Sequence, residues 1–161
     1  MRSTLFAIAA VLSLGCSADA FAAGGGADPQ PASQAKPVDP NFAQAKAMIE
    51  AKNYKAALPL LQQVVAKDPR NADAYNLMGY AVRSSGDANG SLQYYQQALA
   101  IDPRHLGAHE YIGEAYLMLN RPADAQQHLA RLDSLCVFGC TEYRMLKAAI
   151  ANYSSGKRAT N

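Results

Sequence analysis

Residues Ala72 to His105 read ADAYNLMGYAVRSSGDANGSLQYYQQALAIDPRH. Moved by 34 positions either way, this stretch meets a relative of itself: Gly79 falls on Gly113, Ser91 on Ala57 and Ala125, Tyr95 on Leu61 and Leu129, and Pro103 on Pro69. Within it Tyr75, Met78, Gly79 and Val82 recur at helical spacing, which predicts a first helix. Gly86-Asp87 turns the chain, and Asp87 is suited to cap the next helix. Leu92, Tyr95, Ala98, Leu99 and Ile101 then carry that second helix to Asp102-Pro103, where the residue before a proline leaves the helical region. Gly79 is unfavourable in a helix interior. Its return at Gly113 implies a close approach of two helices, with Ser91 and Ala125 as the small residues expected to face the glycines.

The same plan extends in both directions, giving units 38–71, 72–105 and 106–139. In the first, Asp39 caps and Pro40 opens a helix carrying Phe42, Ala45, Met48 and Ile49. Lys52-Asn53 makes the turn, and Tyr54, Leu58, Leu61, Val64 and Val65 lead to Asp68-Pro69. In the third, Ala108, Ile112, Gly113, Tyr116 and Leu119 precede a turn at Asn120-Arg121-Pro122, followed by Ala125, Leu129 and Leu132. A last amphipathic stretch, 140–153, carries Tyr143, Leu146, Ile150 and Tyr153. With Thr141 as its expected N-cap, it reads as the helix that covers the open end of the stack.

An aromatic, a glycine after a large apolar residue, a tyrosine, a small residue, an aromatic and a closing proline, returning at that interval, resemble the tetratricopeptide repeat, whose period is about 34 residues. Ala45 stands where the first unit would have its glycine, and Val137 where the third would have its proline. The stretch from GAHEYIGEAYLMLN to LDSLCVFGCTEY is also similar to small exported bacterial repeat proteins ending in a Cys-x3-Cys tail. The resemblance implies an all-α fold: a right-handed α-solenoid of three helix pairs plus a C-terminal capping helix. It also implies that first-helix positions look into a concave groove, here Phe42, Lys46, Asn76, Tyr80, Arg83, Glu110 and Glu114. The Lys/Asn/Arg carboxylate clamp of some family members is not reproduced, so recognition of an acidic chain terminus is not expected. For the nine tyrosines repeat core is the default reading, with Tyr80 the main exception.

The 161 residues suffice for one small domain with extensions. A charged fraction of 17% and a net charge of +2 give no footprint for nucleic acid or a membrane surface. Arg2, the apolar run Leu5 to Leu14 and Ala20-Phe21-Ala22 form a secretory signal over 1–22, so the mature chain is expected to begin at Ala23, without a membrane span, in the periplasm. The alternative is a lipoprotein anchored at Cys16, although Ser13 occupies the position where a lipobox wants a branched apolar residue. Residues 23–37 are Gly, Pro, Ala, Ser and Gln without apolar period and read as a flexible linker; 154–161 read as a disordered tail.

Cys136 and Cys140 remain in the mature chain, and in an oxidising compartment such a pair is expected to form a disulfide. The alternative is a thiol or copper-type site, since thiolates select soft metals. His105 and His109 have the four-residue spacing of a two-histidine metal pair, but no HExxH accompanies them. His109 aligns with Tyr75 and is expected between helices, with His105 at a helix start. Glu110 and Glu114 are expected on an open, solvated helix face without pKa tuning, which argues against acid–base chemistry. No catalytic constellation, metal site or cofactor is expected. Two functions compete: an exported scaffold binding a peptide segment of another envelope protein in its groove, and a thiol- or metal-handling accessory using Cys136 and Cys140.

Overall fold

A computed structural model of the chain describes residues 38–156. The signal sequence 1–22 with Cys16, the linker 23–37 and residues 157–161 lie outside that range. The described chain is seven α-helices: α1 (Pro40–Glu50), α2 (Tyr54–Lys67), α3 (Ala72–Ser84), α4 (Ala88–Ile101), α5 (Leu106–Met118), α6 (Pro122–Leu135) and α7 (Thr141–Ser154).

Local chemistry sets the helix starts. Asp39 Oδ1 accepts from Asn41 N at 2.8 Å and Asp87 Oδ1 from Gly90 N at 2.7 Å, as their capping role requires. Asn71 does the same for α3, accepting from Ala74 N at 2.9 Å. His105 caps α5 through Nδ1, which accepts from Ala108 N at 3.1 Å. The two inter-unit junctions are built alike: Asp68 and Asp102 each fold a carboxylate oxygen back onto the amide of Arg70 or Arg104, at 3.3 and 2.9 Å. Thr141 is not the cap of α7. Cys140 holds that position without a side-chain bond, and the Thr141 hydroxyl instead accepts from Arg144 Nη2 at 3.2 Å.

The turns inside the units repeat as strictly. Lys52 (φ 59°), Gly86 (φ 101°) and Asn120 (φ 56°) stand one repeat apart and all adopt the left-handed conformation that ends one helix and redirects the chain. Only the middle unit uses glycine, the residue with no steric penalty there.

Helices pack pairwise within units (α1 on α2, α3 on α4, α5 on α6), and each second helix also packs on the first helix of the next unit. The first helices touch one another along the stack, α1 on α3, α3 on α5 and α5 on α7, whereas α2, α4 and α6 do not. A row in contact beside a row that has separated is a curved stack with the first helices on its inner side. The core follows this division. Leu61, Val64 and Met78 anchor one apolar cluster, and Tyr95, Ile112, Leu132, Leu146 and Ile150 anchor the other.

The glycines face different neighbours from those expected. A Cβ on Gly79 would stand 2.6 Å from the ring of Tyr95, not against Ser91, and one on Gly113 would meet the Leu146 side chain of α7 at 2.6 Å. Ser91 is buried and turns its hydroxyl back to Ala88 O at 2.7 Å. Close approach explains both glycines, but a large residue fills the space each time. Leu146 and Ile150 thereby seat α7 on α5 as the next first helix would sit. Between α6 and α7, Cys136 and Cys140 form a disulfide with Cα atoms 5.5 Å apart, and Gly139 turns the chain at φ 75°.

Candidate functional site

The inner row brings the seven expected residues onto adjacent helices: Phe42 and Lys46 on α1, Asn76, Tyr80 and Arg83 on α3, Glu110 and Glu114 on α5. Their exposure divides them. Lys46 is open, and Phe42, Tyr80 and Glu114 are half-buried, as a working surface requires. Asn76, Arg83 and Glu110 are buried, at 7%, 7% and 3% exposure. The outward orientation expected of those three is therefore corrected, because the inner helices approach one another closely and cover them.

Arg83 shows how. Its Nε donates to the Tyr95 hydroxyl at 3.3 Å and its Nη2 pairs with Glu114 Oε2 at 2.8 Å. The guanidinium carbon lies 5.4 Å from the centre of the Tyr80 ring and 5.6 Å from that of Tyr111. A cation held by a carboxylate, a phenol and two aromatic faces ties α3, α4 and α5 together. Removing one partner of such a buried pair strands the other. Arg83 is thus a positioning residue for the tyrosines.

Those tyrosines form a chain: Tyr54 meets Tyr80 edge to face at 6.1 Å between centres, Tyr80 meets Tyr111 at 5.1 Å, and Tyr111 meets Tyr95 at 6.3 Å. Burial pushes the Tyr111 phenol up to about 12, so it is neutral at ordinary pH. Tyr54 and Tyr111 escape the sequence reading because Tyr54 opens a second helix and Tyr111 aligns with Leu77, a partly buried apolar position. Two clefts open here. One of about 270 Å³ is walled by Ile49, Leu77 and the rings of Tyr54, Tyr80 and Tyr111, with Glu50 and Lys52 at its rim. The other, about 200 Å³, lies among Phe42, Lys46, Asp73, Asn76 and Leu77.

Glu110 departs most from expectation. Burial, reinforced by the charges of Glu114 and Glu142, raises its carboxyl to about 7, against the opposing pull of Arg83. Its Oε1 and Asn76 Oδ1 are buried without a hydrogen-bond partner among the described residues. Glu114 is committed to Arg83, so the two carboxylates do not act as an acid–base pair on a common position.

The histidines serve separate ends. His105 Nε2 lies 3.2 Å from Asp73 Oδ1, binding the start of α5 to α3. His109 is packed between helices, with Nε2 3.2 Å from Pro103 O and Nδ1 2.9 Å from Nδ1 of His128 on α6. A carbonyl only accepts, so His109 carries its proton on Nε2 and His128 must donate from Nδ1. Burial, with the neighbouring His109, lowers His128 to about 4. Among the described residues no three His, Cys, Asp or Glu side chains gather to hold a metal, and no helix is long and apolar enough to cross a membrane.

Antiparallel helix pairs recurring at a fixed interval around a curved inner row define a helical-repeat solenoid. Two tetratricopeptide repeat models match the chain, at residues 42–105 and 82–150. The chain belongs to the tetratricopeptide repeat family. No curated protein matches it. Among solved structures it is similar to MamA (41-end) from Desulfovibrio magneticus RS-1, with 27% identity and a TM-score of 0.57 over 59% of this chain and 54% of that one. A crystal form of MamA AMB-1 gives 21% identity and a TM-score of 0.55, over 65% and 57%. PcrH in complex with the chaperone binding region of PopD gives 17% and 0.64, over 73% and 90%. The chain thus spans about half the length of the MamA structures it matches.

Proposed function

We propose that this protein is an exported interaction scaffold that holds a peptide segment of another envelope protein against the inner row of its solenoid. The observation that carries the reading is the aromatic surface of Tyr54, Tyr80 and Tyr111 around an open cleft, with buried Arg83 packed on the Tyr80 and Tyr111 rings. Rigid aromatic faces supply contact area at low entropic cost, which is what an interaction surface needs. The similarity to PcrH, solved with a bound region of PopD, supports the use of such a fold for holding a protein segment. The sequence signal at 1–22 supports export to the periplasm, and the Cys136–Cys140 disulfide supports an oxidising compartment. No catalytic step is assigned. The thiol- or metal-handling alternative would require the Cys136–Cys140 disulfide to be reduced first.

A photo-cross-linking amino acid at exposed Lys46, in the full chain expressed in its native envelope, tests the reading against the same label at exposed Gln97 on α4. Attachment to one segment of one protein from position 46 and not from 97 is the expected result. Equal labelling, or none from 46, would refute the groove. The mass of the recovered chain tests export: a start at Ala23 is expected, whereas a lipid on Cys16 would replace the soluble form by the anchored one.

A further inference from the structure

The three inter-unit junctions differ in one respect that the fold does not require. At the first two, Asp68-Pro69-Arg70 and Asp102-Pro103-Arg104, the proline and arginine are exposed and the aspartate braces the turn through the arginine amide. One repeat further on, Cys136-Val137-Phe138 stands in their place, and the Cys136–Cys140 disulfide supplies the brace. Val137 and Phe138 inherit the exposed positions, at 85% and 99% exposure. An apolar pair there reaches no core and stays in water, so packing within the chain does not account for it. The loop is held in one shape by the disulfide, by Gly139 at φ 75° and by the Arg144 guanidinium, which donates to Gly139 O at 3.3 Å and Thr141 Oγ1 at 3.2 Å. A pre-shaped apolar knob loses little entropy when something covers it.

The same chain carries a recess of matching character. A cleft of about 590 Å³ lies among the start of α1, the end of α2 and the start of α3, with Val38, Pro40, Phe42 and Val64 as its apolar walls. Its volume is more than twice that of the tyrosine cleft, which gives room for both side chains of the knob. Val38 is itself 66% exposed, so seating the knob there would cover three of the most exposed large apolar side chains among the described residues. The charges match as well. Asp39, Asp68 and Asp73 line the cleft against a single Lys67, whereas Arg144 stands at the root of the knob with Lys147 three residues further along α7. On the knob side Glu142 is half-buried, where its charge acts on Glu110, and exposed Asp133 is offset by exposed Arg131.

Position decides how knob and cleft can meet. Successive helices alternate in direction, so the starts of α1, α3 and α7 and the ends of α2 and α6 lie on one edge of the stack. Cleft and knob share that edge, yet α1, α2 and α3 make no contact with α6 or α7, so a knob does not reach its own cleft. Two copies placed edge to edge about a two-fold axis bring each knob to the other's cleft, and the pairing closes on itself.

We propose that this edge is a self-association surface. A second copy of the chain docks across it, its Val137–Phe138 knob entering the cleft of Val38, Pro40, Phe42 and Val64, and it receives the first copy's knob in return. Two contacts this small bury less than the roughly 1,200–2,000 Å² of a stable interface, so the dimer is weak and forms as concentration rises. The tyrosine cleft takes no part in it, so the proposal stands or falls apart from the scaffold reading.

Sedimentation of the full chain over a wide range of concentration reads the association directly. A reversible monomer–dimer equilibrium is expected, weakened at least about tenfold by Phe138→Ser at the knob and by Val38→Asp at the cleft. Neither side chain is buried, so both variants keep the fold. Each variant retains the half that the other lacks, and an equimolar mixture should therefore associate more tightly than either alone. A chain that stays monomeric throughout, a Phe138→Ser variant that associates as the parent does, or a mixture no tighter than its components would overturn the proposal. So would a parent that dimerises only once residues 23–37 are deleted, which would give the cleft to that segment. Phe138-dependent binding of the monomer to phosphatidylglycerol vesicles, without self-association, would overturn it too.

Discussion

Replacing Gly79 by alanine adds one methyl group to the inside of the α3–α4 pair. That carbon would stand 2.6 Å from Cε1, 2.7 Å from Cδ1 and 2.9 Å from Cζ of Tyr95. Carbon atoms settle at about 3.5–4.0 Å, so the ring must retreat by about 1 Å. It has little room to do so, because Tyr95 is fully buried and its hydroxyl accepts from Arg83. Overpacking of this kind costs about 1–3 kcal/mol, while alanine returns about 0.8–1.0 kcal/mol of helix propensity over glycine. Displacing the ring also weakens a hydrogen bond from a charged donor, whose full loss is worth about 1.5–3 kcal/mol. With part of that bond lost, the net effect is a destabilisation of about 2 kcal/mol. Gly113→Ala is the matched control, since the nearest atoms are the Cδ2 and Cδ1 methyls of Leu146, the tip of a side chain that can rotate. It should cost less than Gly79→Ala, and its effect should be felt in α7. Urea unfolding with unchanged slope measures both. A Gly79→Ala protein as stable as the parent, or a Gly113→Ala protein less stable than Gly79→Ala, would refute the close-approach argument.

Two buried groups give the pH dependence of stability opposite signs. Glu110, raised from 4.5 to about 7, contributes stability fully below 4.5 that is lost as pH rises through 7. His128, lowered from 6.5 to about 4, contributes fully above 6.5 and loses its share as pH falls through 4. Over 4.5–6.5 the two slopes oppose each other, so Glu110→Gln should expose a curve that rises with pH there and no longer falls toward 7. Denaturant midpoints from pH 4 to 8 check this, and a variant running parallel to the parent would contradict it. Reduction of Cys136–Cys140 should cost less than the roughly 3 kcal/mol of a 15-residue loop, because this loop is far shorter and α7 stays packed on α5 and α6. Hydrogen exchange after reduction should quicken at the α6–α7 junction, and global unfolding would refute the local role.

Periodicity made the helices readable, because each turn and cap is decided by residues within a few positions of it. Asp39, Asp87 and the turns at Lys52, Gly86 and Asn120 are of this kind. Burial across the inner row is decided by residues a whole unit away, which a pattern inside one helix does not encode. Asn76, Arg83 and Glu110 consequently read as outward side chains and are buried. Tyr95 was legible as core, yet not as the wall against Gly79, since that contact joins two helices and no spacing within one helix encodes it. The candidate site shifts accordingly, from a polar strip toward an aromatic cleft whose Tyr80 and Tyr111 rings are packed on buried Arg83.

The two junctions have a consequence for size. Asp68-Pro69-Arg70 and Asp102-Pro103-Arg104 fold alike, and each hands the chain to a residue that caps the next helix. Because the splice points are equivalent, whole units can be gained or lost one at a time without redesigning a joint. On the proposed reading the inner face is therefore a ruler graduated in repeats, and the length of segment it would measure is set by how many graduations the gene encodes.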